Sequence, residues 1–162
     1  MLYAVIVVLL VVVDQIVKVL VRSNLALGEL VPFLPHLLDL TYVQNTGAAF
    51  SLFSEHTWLL TVVSAVMALL LAVAIVKKFF RHPGGQIILS VILAGAVGNL
   101  IDRAIFGYVT DMFATSFMNF AVFNVADICV VLGGIALCVY VLFFHEKLEE
   151  KEPEHGDTKS HS

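Results

Sequence analysis

Four long apolar stretches constrain the fold of this 162-residue chain more than any other feature of its sequence. A transmembrane helix needs about twenty consecutive, mainly apolar residues. Four windows meet that length, at residues 2–21, 58–76, 86–105 and 122–144. Because 60% of the residues are hydrophobic and only 14% are charged, the chain has too little polar surface to coat a soluble globule. The sequence therefore predicts a membrane α-helical fold with four transmembrane helices.

The basic residues outside these windows predict how the helices are oriented. Lys77, Lys78 and Arg81 lie between the second and third windows, and further lysines follow the fourth. Lysine and arginine collect in cytoplasmic loops. We therefore expect both termini on the cytoplasmic side, with the loops 22–57 and 106–121 on the outer side.

The chain divides into one membrane domain and a tail. Residues 1–144 contain no linker or internal repeat, so we expect them to form a single domain. From His145 onward the sequence is polar and acidic, and such a segment buries too little apolar surface to fold. Residues 145–162 are therefore predicted to be a disordered cytoplasmic tail. Cys129 and Cys138 fit neither a zinc spacing nor a redox pair, and we expect no metal, no cofactor and no nucleic-acid partner.

The first outer loop carries a pattern typical of a β-strand. Leu38, Leu40 and Tyr42 alternate with the residues between them, and this period of two indicates a strand with unlike faces. Pro32 and Pro35 favour a turn just before the strand. The sequence therefore predicts a small extracytoplasmic β-sheet in this loop.

Polar residues gather at one level of the predicted bundle, near its outer end. A charged residue at the centre of a membrane helix costs about 2.5 to 3.5 kcal/mol, and such residues usually have a function. The residues at this level are Asp14 and Lys18 in the first window, Asn99, Asp102 and Arg103 in the third, Asp111 in the last loop, and Asn124 and Asp127 in the fourth.

Counting these charges separates two aspartates from the rest. Asp14 and Lys18 stand four residues apart on one helix face and can form an ion pair with a purely structural role. Arg103 can neutralise another acid of the group. Four acids face two cations in this count, so two carboxylates are left over. Asp111 and Asp127 are the natural surplus, since neither has a lysine or arginine within a helical turn in sequence.

Two carboxylates without cations in a site of low dielectric constant should share one proton, because they cannot both ionise cheaply. The ionised partner can take a proton from water while the protonated partner polarises a scissile carbonyl. Asn124 and Asp127 also have the spacing of a helix capping box, a structural role compatible with catalysis. The helix dipole favours the ionised form of Asp127, so we predict Asp127 as the base and Asp111 as the protonated partner.

Five motifs carry a resemblance to a known family. They are DQIVK at 14–18, NTGAAF at 45–50, GNLIDR at 98–103, VTD at 109–111 and FNVAD at 123–127. In these motifs the chain resembles lipoprotein signal peptidase, also called signal peptidase II. Members of this family are bacterial membrane aspartic peptidases that remove the signal peptide of prolipoproteins after their cysteine has been lipid-modified.

The resemblance implies that Asp111 and Asp127 are a catalytic dyad, which cleaves just before the lipidated cysteine. It implies an enzyme of the bacterial inner membrane whose site lies on the periplasmic side, beside a β-cradle and a short periplasmic helix in the first loop. Contact with membrane lipids and inhibition by globomycin-type cyclic peptides are implied as well. Support or substrate-contact roles are implied for Asp14, Lys18, Asn45, Gly47, Asn99, Asp102, Arg103, Asn124 and Ala126.

Other classes of function remain open from the residues alone. A transporter or channel subunit could use the carboxylates to relay protons or bind cations, although the polar groups occupy one leaflet and no inverted repeat is visible. A metalloprotease or serine protease is disfavoured because no HExxH motif is present and no histidine lies near the predicted site. A scaffold role would leave the surplus carboxylates unexplained.

Overall fold

Four helices and a small sheet make up the described part of the protein. The computed structural model describes residues 1–47 and 57–144. In chain order the elements are α1 (Leu2–Asn24), β1 (Leu30–Leu34), β2 (Leu38–Asn45), α2 (Thr57–Val76), α3 (Pro83–Phe106), β3 (Val109–Thr115) and α4 (Val125–Phe143). Each helix is long and apolar enough to cross a membrane, which confirms the four predicted spans.

The helices turn large apolar side chains outward. Leu9 on α1, Val62 on α2 and Leu132 on α4 are each more than half exposed. A helix with apolar residues on all sides belongs inside a large core or in a membrane. Because a chain of this size has no such core, the exposed faces of the bundle are its lipid-facing surface.

Helix α3 lies at the centre of the bundle and packs against the other three helices. A Cβ placed on Gly98 would lie 2.6 Å from Asp14 Oδ2 on α1 and 3.2 Å from the Cβ of Ala126 on α4. A Cβ placed on Gly133 of α4 would lie 2.6 Å from Ile92 Cγ1 on α3. Small residues at membrane helix interfaces let the backbones approach closely. This close packing brings polar side chains of α1, α3 and α4 together at one end of the bundle.

The sheet is antiparallel, with strand order β1-β2-β3. Its first two strands come from the first outer loop, and β2 contains the alternating residues Leu38, Leu40 and Tyr42. The predicted sheet in this loop is therefore confirmed. The third strand, β3, comes from the last loop and pairs Asp111 with Val43 of β2. Asp111 thus lies in a strand rather than in a plain loop.

Two local predictions in the loops need correction. The sequence does not predict β3, because residues 109–115 show no regular alternation of apolar and polar side chains. In the structure the consecutive residues Thr110, Asp111 and Met112 are at most 2% exposed, so this part of the strand is covered on both faces. The prediction that Pro32 belongs to a turn is wrong, since Pro32 lies in β1 at the edge of the sheet. A proline is tolerated in an edge strand because its missing N–H is not needed there. The turn begins at Pro35.

Two sequence predictions extend beyond the described residues. Residues 25–47 of the first outer loop contain no helix. The rest of that loop before α2 is outside the described residues, as is the predicted tail at 145–162, so the short periplasmic helix implied for this loop is not tested. The division into a domain at 1–144 and a tail therefore stays a prediction.

Candidate active site

A buried ionic cluster joins α1 to α3. Lys18 Nζ lies 2.9 Å from Asp14 Oδ2 and 3.6 Å from Asp102 Oδ2, and all three side chains are at most 2% exposed. The ion pair predicted between Asp14 and Lys18 is therefore present. Removing one partner from such a group leaves an uncompensated buried charge, which typically costs about 3 to 5 kcal/mol. The cluster consequently holds the two helices in one relative position.

Each acid of this cluster also binds the backbone one residue before a dyad candidate. Asp14 Oδ1 accepts a hydrogen bond of 2.9 Å from the N–H of Ala126, which precedes Asp127. Asp102 Oδ2 accepts a hydrogen bond of 2.9 Å from the N–H of Thr110, which precedes Asp111. The ionic cluster thus sets the positions of the start of α4 and of β3.

Two asparagine side chains connect the cluster to the two candidate catalytic aspartates. Asn99 Oδ1 accepts from Lys18 Nζ at 3.0 Å and from Asn124 Nδ2 at 3.1 Å. Because the lysine ammonium can only donate, the amide oxygen of Asn99 must face it. The Asn99 amide nitrogen then donates to Asp127 Oδ1 at 2.7 Å, and Asn124 Nδ2 donates to Asp111 Oδ1 at 2.6 Å.

The predicted capping box at the start of α4 is confirmed. The side chain of Asn124 accepts from the N–H of Asp127 at 2.9 Å, and Asp127 Oδ2 accepts from the N–H of Asn124 at 3.1 Å. Together with the Asn99 contact, both oxygens of Asp127 accept a hydrogen bond. The carboxylate is therefore held in one orientation at the positive end of the helix dipole.

Asp111 is held from the sheet side. Its Oδ2 accepts from Asn45 Nδ2 at 2.9 Å, and Asn45 Oδ1 accepts from the N–H of Gly47 at 2.9 Å. Burial raises the pKa of Asp111 from 3.8 to about 6. The amide of Asn45 opposes this rise in pKa and the negative charge of Asp127 adds to it. Asp111 is therefore the carboxyl that keeps a proton more readily than a free aspartate does.

A cavity of about 570 Å³ opens over the two carboxyl groups. Apolar side chains from α2 and α4, among them Val63, Met67 and Val131, form much of its wall. Among the described residues, no lysine or arginine nitrogen lies within 4.0 Å of the carboxylates of Asp111 and Asp127. A cavity of this volume is in the range that binds ligands, and the two carboxyl groups in its wall are placed to transfer protons to or from a bound group.

Arg103 lies in the wall of the same cavity without a carboxylate partner among the described residues. Its Nη1 is 3.4 Å from Ser64 Oγ and its Nη2 is 3.5 Å from the carbonyl oxygen of Gly47. Both contacts are at the long limit of a hydrogen bond. Arg103 forms no ion pair within 4.0 Å among the described residues. Its charge does interact over a longer distance with Asp127, Asp111 and Asp102, so the predicted neutralisation of an acid occurs without direct contact.

Three residues of this site were missed in the sequence. Gln15 Nε2 lies 3.1 Å from oxygens of Asp14, Gly98 and Asp102. Arg22 and Thr110 contact each other through a hydrogen bond of 2.8 Å. Arg22 follows the apolar window, so the count of two cations does not include it. With Arg22 beside Asp102, four acids face three cations, and the predicted surplus falls from two carboxylates to one. The available signal for Arg22 was its spacing, since Asp14, Lys18 and Arg22 recur every four residues on one helix face.

Known proteins are similar in sequence to this chain over nearly its whole length. A family model described as "Signal peptidase (SPase) II" matches residues 6–143. A protein of Enterococcus faecalis described as a lipoprotein signal peptidase is 40% identical over 148 residues, covering 91% of this chain and 89% of the relative. Another so described, from Clostridioides difficile, is 40% identical over 147 residues, covering 91% and 99%.

Two solved structures share the fold. A bacterial membrane enzyme determined by the in meso method at 2.3 Å superimposes with a TM-score of 0.82 at 26% identity, over 96% of this chain and 94% of that one. A second such enzyme, determined at 1.9 Å, has a TM-score of 0.74 at 28% identity, over 88% and 93%. The arrangement of four helices and a sheet is therefore one that bacterial membrane enzymes use.

Proposed function

The chain belongs to the signal peptidase II family, and from this premise we propose that Asp111 and Asp127 hydrolyse the peptide bond just before the lipid-modified cysteine of a prolipoprotein. The family and its relatives establish the broader statement that the chain is a multi-pass membrane peptidase of the lipoprotein signal peptidase type. The two-aspartate mechanism and the exact bond are the proposal.

One observation carries the proposed mechanism. The carboxyl groups of Asp111 and Asp127 share one cavity, and each has both oxygens held by amide donors. A shared proton requires two carboxyl groups in a common site with no cation paired to either. Among the described residues, no lysine or arginine nitrogen lies within 4.0 Å of these two carboxylates. The raised pKa of Asp111 supports its assignment as the protonated partner.

The proposed reaction needs only these two groups and water. Ionised Asp127 removes a proton from water as the hydroxyl oxygen attacks the scissile carbonyl carbon, while protonated Asp111 donates its proton toward the carbonyl oxygen. When the C–N bond breaks, the proton held by Asp127 passes to the departing nitrogen of the cysteine. Asp111 recovers its proton as the carbonyl re-forms. The hydroxyl of water ends on the signal peptide and its proton on the amine.

The surrounding residues supply positioning in this proposal. Eight residues orient the two aspartates through the contacts described above. They are Asp14, Lys18, Asn45, Gly47, Asn99, Asp102, Asn124 and Ala126. Arg103 in the cavity wall is free to bind a substrate carbonyl. Preorganised groups of this kind spare the reaction the cost of reorienting water and side chains.

The location of the site suits a substrate that stays in the bilayer. The cavity lies where α3 ends and α4 begins, beside the sheet, and α2 and α4 form much of its apolar wall. We propose that an apolar signal helix lies against this wall and that globomycin-type cyclic peptides compete for it. In the bacterial inner membrane, both termini would be cytoplasmic and the site periplasmic.

Cleavage of a diacylglyceryl-modified prolipoprotein by purified protein in detergent tests the proposal. Asp111→Asn and Asp127→Asn should each lower the turnover number by at least about a hundredfold, since each removes a proton-transfer group. Asp39→Asn is the matched control, because Asp39 is an aspartate of the same sheet whose carboxylate binds Ser116. Normal turnover by a folded Asp111→Asn or Asp127→Asn enzyme would contradict the dyad. Proton flux in liposomes without any cleavage would favour a transporter instead.

A further inference from the structure

The side chain of Arg22 links the end of α1 to β3. Its Nη1 donates to Thr110 Oγ1 at 2.8 Å and lies 3.7 Å from Asp102 Oδ2. Its guanidinium carbon is 4.6 Å from the centre of the Phe106 ring, a distance typical of a cation–π contact. With only 16% of its side chain exposed, Arg22 is held on three sides.

Thr110 is fixed at two points by neighbouring helices. Asp102 on α3 accepts from its N–H at 2.9 Å, and Arg22 on α1 donates to its hydroxyl. Thr110 is completely buried. Successive side chains of a strand point to opposite faces, so Thr110 faces the helices while Asp111 faces the cavity. Fixing Thr110 therefore fixes the direction of the next side chain.

We propose that Arg22 is a positioning residue that sets the Asp111 carboxyl by holding Thr110. The inference rests on the proposed function, because Asp111 must be catalytic for its position to affect the reaction. Without the Arg22 contact, the hydrogen bond from the N–H of Thr110 to Asp102 is the one that still ties Thr110 to the helices among the described residues. Asp111 then loses the support that keeps both its oxygens on the amides of Asn45 and Asn124.

Charge balance supports the same role. Lys18 serves both Asp14 and Asp102, so the buried cluster has two acids and needs a second cation. Arg22 supplies this charge, and its planar guanidinium can bind Thr110 while it stacks on Phe106. A lysine ammonium keeps the charge but lacks this planar geometry. Arginine and lysine are therefore not equivalent at position 22.

The proposal predicts a change in kcat rather than in KM. Arg22 and Thr110 are absent from the described residues that line the cavity, so we expect neither to contact a substrate bound there. Small displacements of a catalytic group cost up to about a hundredfold in rate, and we expect Arg22→Gln and Thr110→Val each to lower kcat by about tenfold. Thr110→Ser keeps the hydroxyl and should retain nearly full kcat.

A double-substitution cycle with the lipid-modified precursor tests this coupling. Because both changes break one contact, Arg22→Gln combined with Thr110→Val should lower kcat little more than either change alone. Lys77→Gln, an exposed cation at the other end of the bundle, is the matched control and should behave as the wild type. Melting temperatures of all variants are measured in the same detergent.

The outcomes separate this inference from the function on which it rests. Three outcomes would overturn the positioning role alone. The losses of kcat in the two single variants could multiply in the double variant, KM could rise while kcat stays unchanged, or Thr110→Ser and Thr110→Val could lose the same amount of kcat. If Arg22→Gln does not fold, the comparison of Thr110→Val with Thr110→Ser decides, since both leave the ionic cluster intact. A wild type that fails to cleave the precursor would overturn the proposed function and this inference with it.

Discussion

At the scale of single residues, hydrogen-bond chemistry assigns unlike roles to similar side chains. The ammonium of Lys18 fixes the orientation of the Asn99 amide, and that amide donates to Asp127. Asp111 instead depends on Asn45 and Asn124 and is deeply buried. The two aspartates therefore differ in surroundings although they are chemically identical, which is the condition for one acid and one base in a pair.

The raised pKa of Asp111 makes a prediction about stability. In the folded protein its pKa is about 6, against 3.8 for a free carboxyl, so its contribution to stability is complete below 3.8 and is lost as the pH rises through 6. From pH 8 to pH 5 this group should add about 1.4 kcal/mol to the free energy of unfolding. Asp111→Asn should lack this increment, as measured by melting temperature, whereas Asp39→Asn should keep it. Equal pH dependence in wild type and Asp111→Asn would contradict the raised pKa.

At the scale of elements, the site depends on how closely three helices meet. α3 presents Gly98 where Asp14 of α1 and Ala126 of α4 both approach it. The N–H of Ala126 is bound by Asp14 at that same crossing. A helix contact and a site contact thus coincide, so a change in helix spacing also moves the start of α4.

Substitution of glycine by alanine tests this crossing. Gly98→Ala should lower the free energy of unfolding by about 1 to 3 kcal/mol because its Cβ would overlap Asp14, and it should reduce cleavage. Gly134→Ala is the matched control on α4, since a Cβ there meets no atom within 4 Å. That control should change the free energy by less than about 1 kcal/mol, in the stabilising direction. Equal melting temperatures for the two variants would show that the crossing tolerates a methyl group.

At the scale of the whole molecule, one end of the bundle holds the buried charges of the ionic cluster and the other is closed by aromatic packing. The rings of Phe80 and Tyr140 pack edge to face with their centres 5.2 Å apart, in an apolar cluster with Leu89. The ionic cluster, the two aspartates and the sheet all lie at the opposite end. This asymmetry suits an enzyme that works at one membrane surface.

Labelling with a membrane-impermeant maleimide tests the predicted orientation. Asn119 lies after β3 and Lys77 after α2, and both are exposed. With Cys129 and Cys138 replaced by alanine, Asn119→Cys should be labelled in intact spheroplasts. Lys77→Cys should be labelled only after the membrane is permeabilised, because basic loops stay cytoplasmic. The reverse labelling pattern would invert the topology.

The membrane spans, the loops and the candidate site differ in how much of their structure could be predicted from the sequence. The spans follow from length and hydropathy, because the membrane imposes both on any crossing helix. The ion pair of Asp14 and Lys18 and the capping box of Asn124 and Asp127 are local, so their spacing was sufficient. The spacing of Arg22 places it on the same helix face as Lys18, but its contact with Thr110, 88 positions away, has no local signal and required the folded chain.

By itself, the sequence determined that this protein is a four-helix membrane protein with a surplus of carboxylates at one level. The reason is that burying a charged side chain or an unpaired backbone group in lipid costs free energy in every membrane segment by itself, whatever the rest of the fold is. Only the tertiary structure decided that β3 completes the sheet, that Asp14 and Asp102 hold the backbone beside the two aspartates, and that Arg22 braces Thr110. These contacts join distant segments, and their geometry depends on how closely the glycines of α3 let the helices approach.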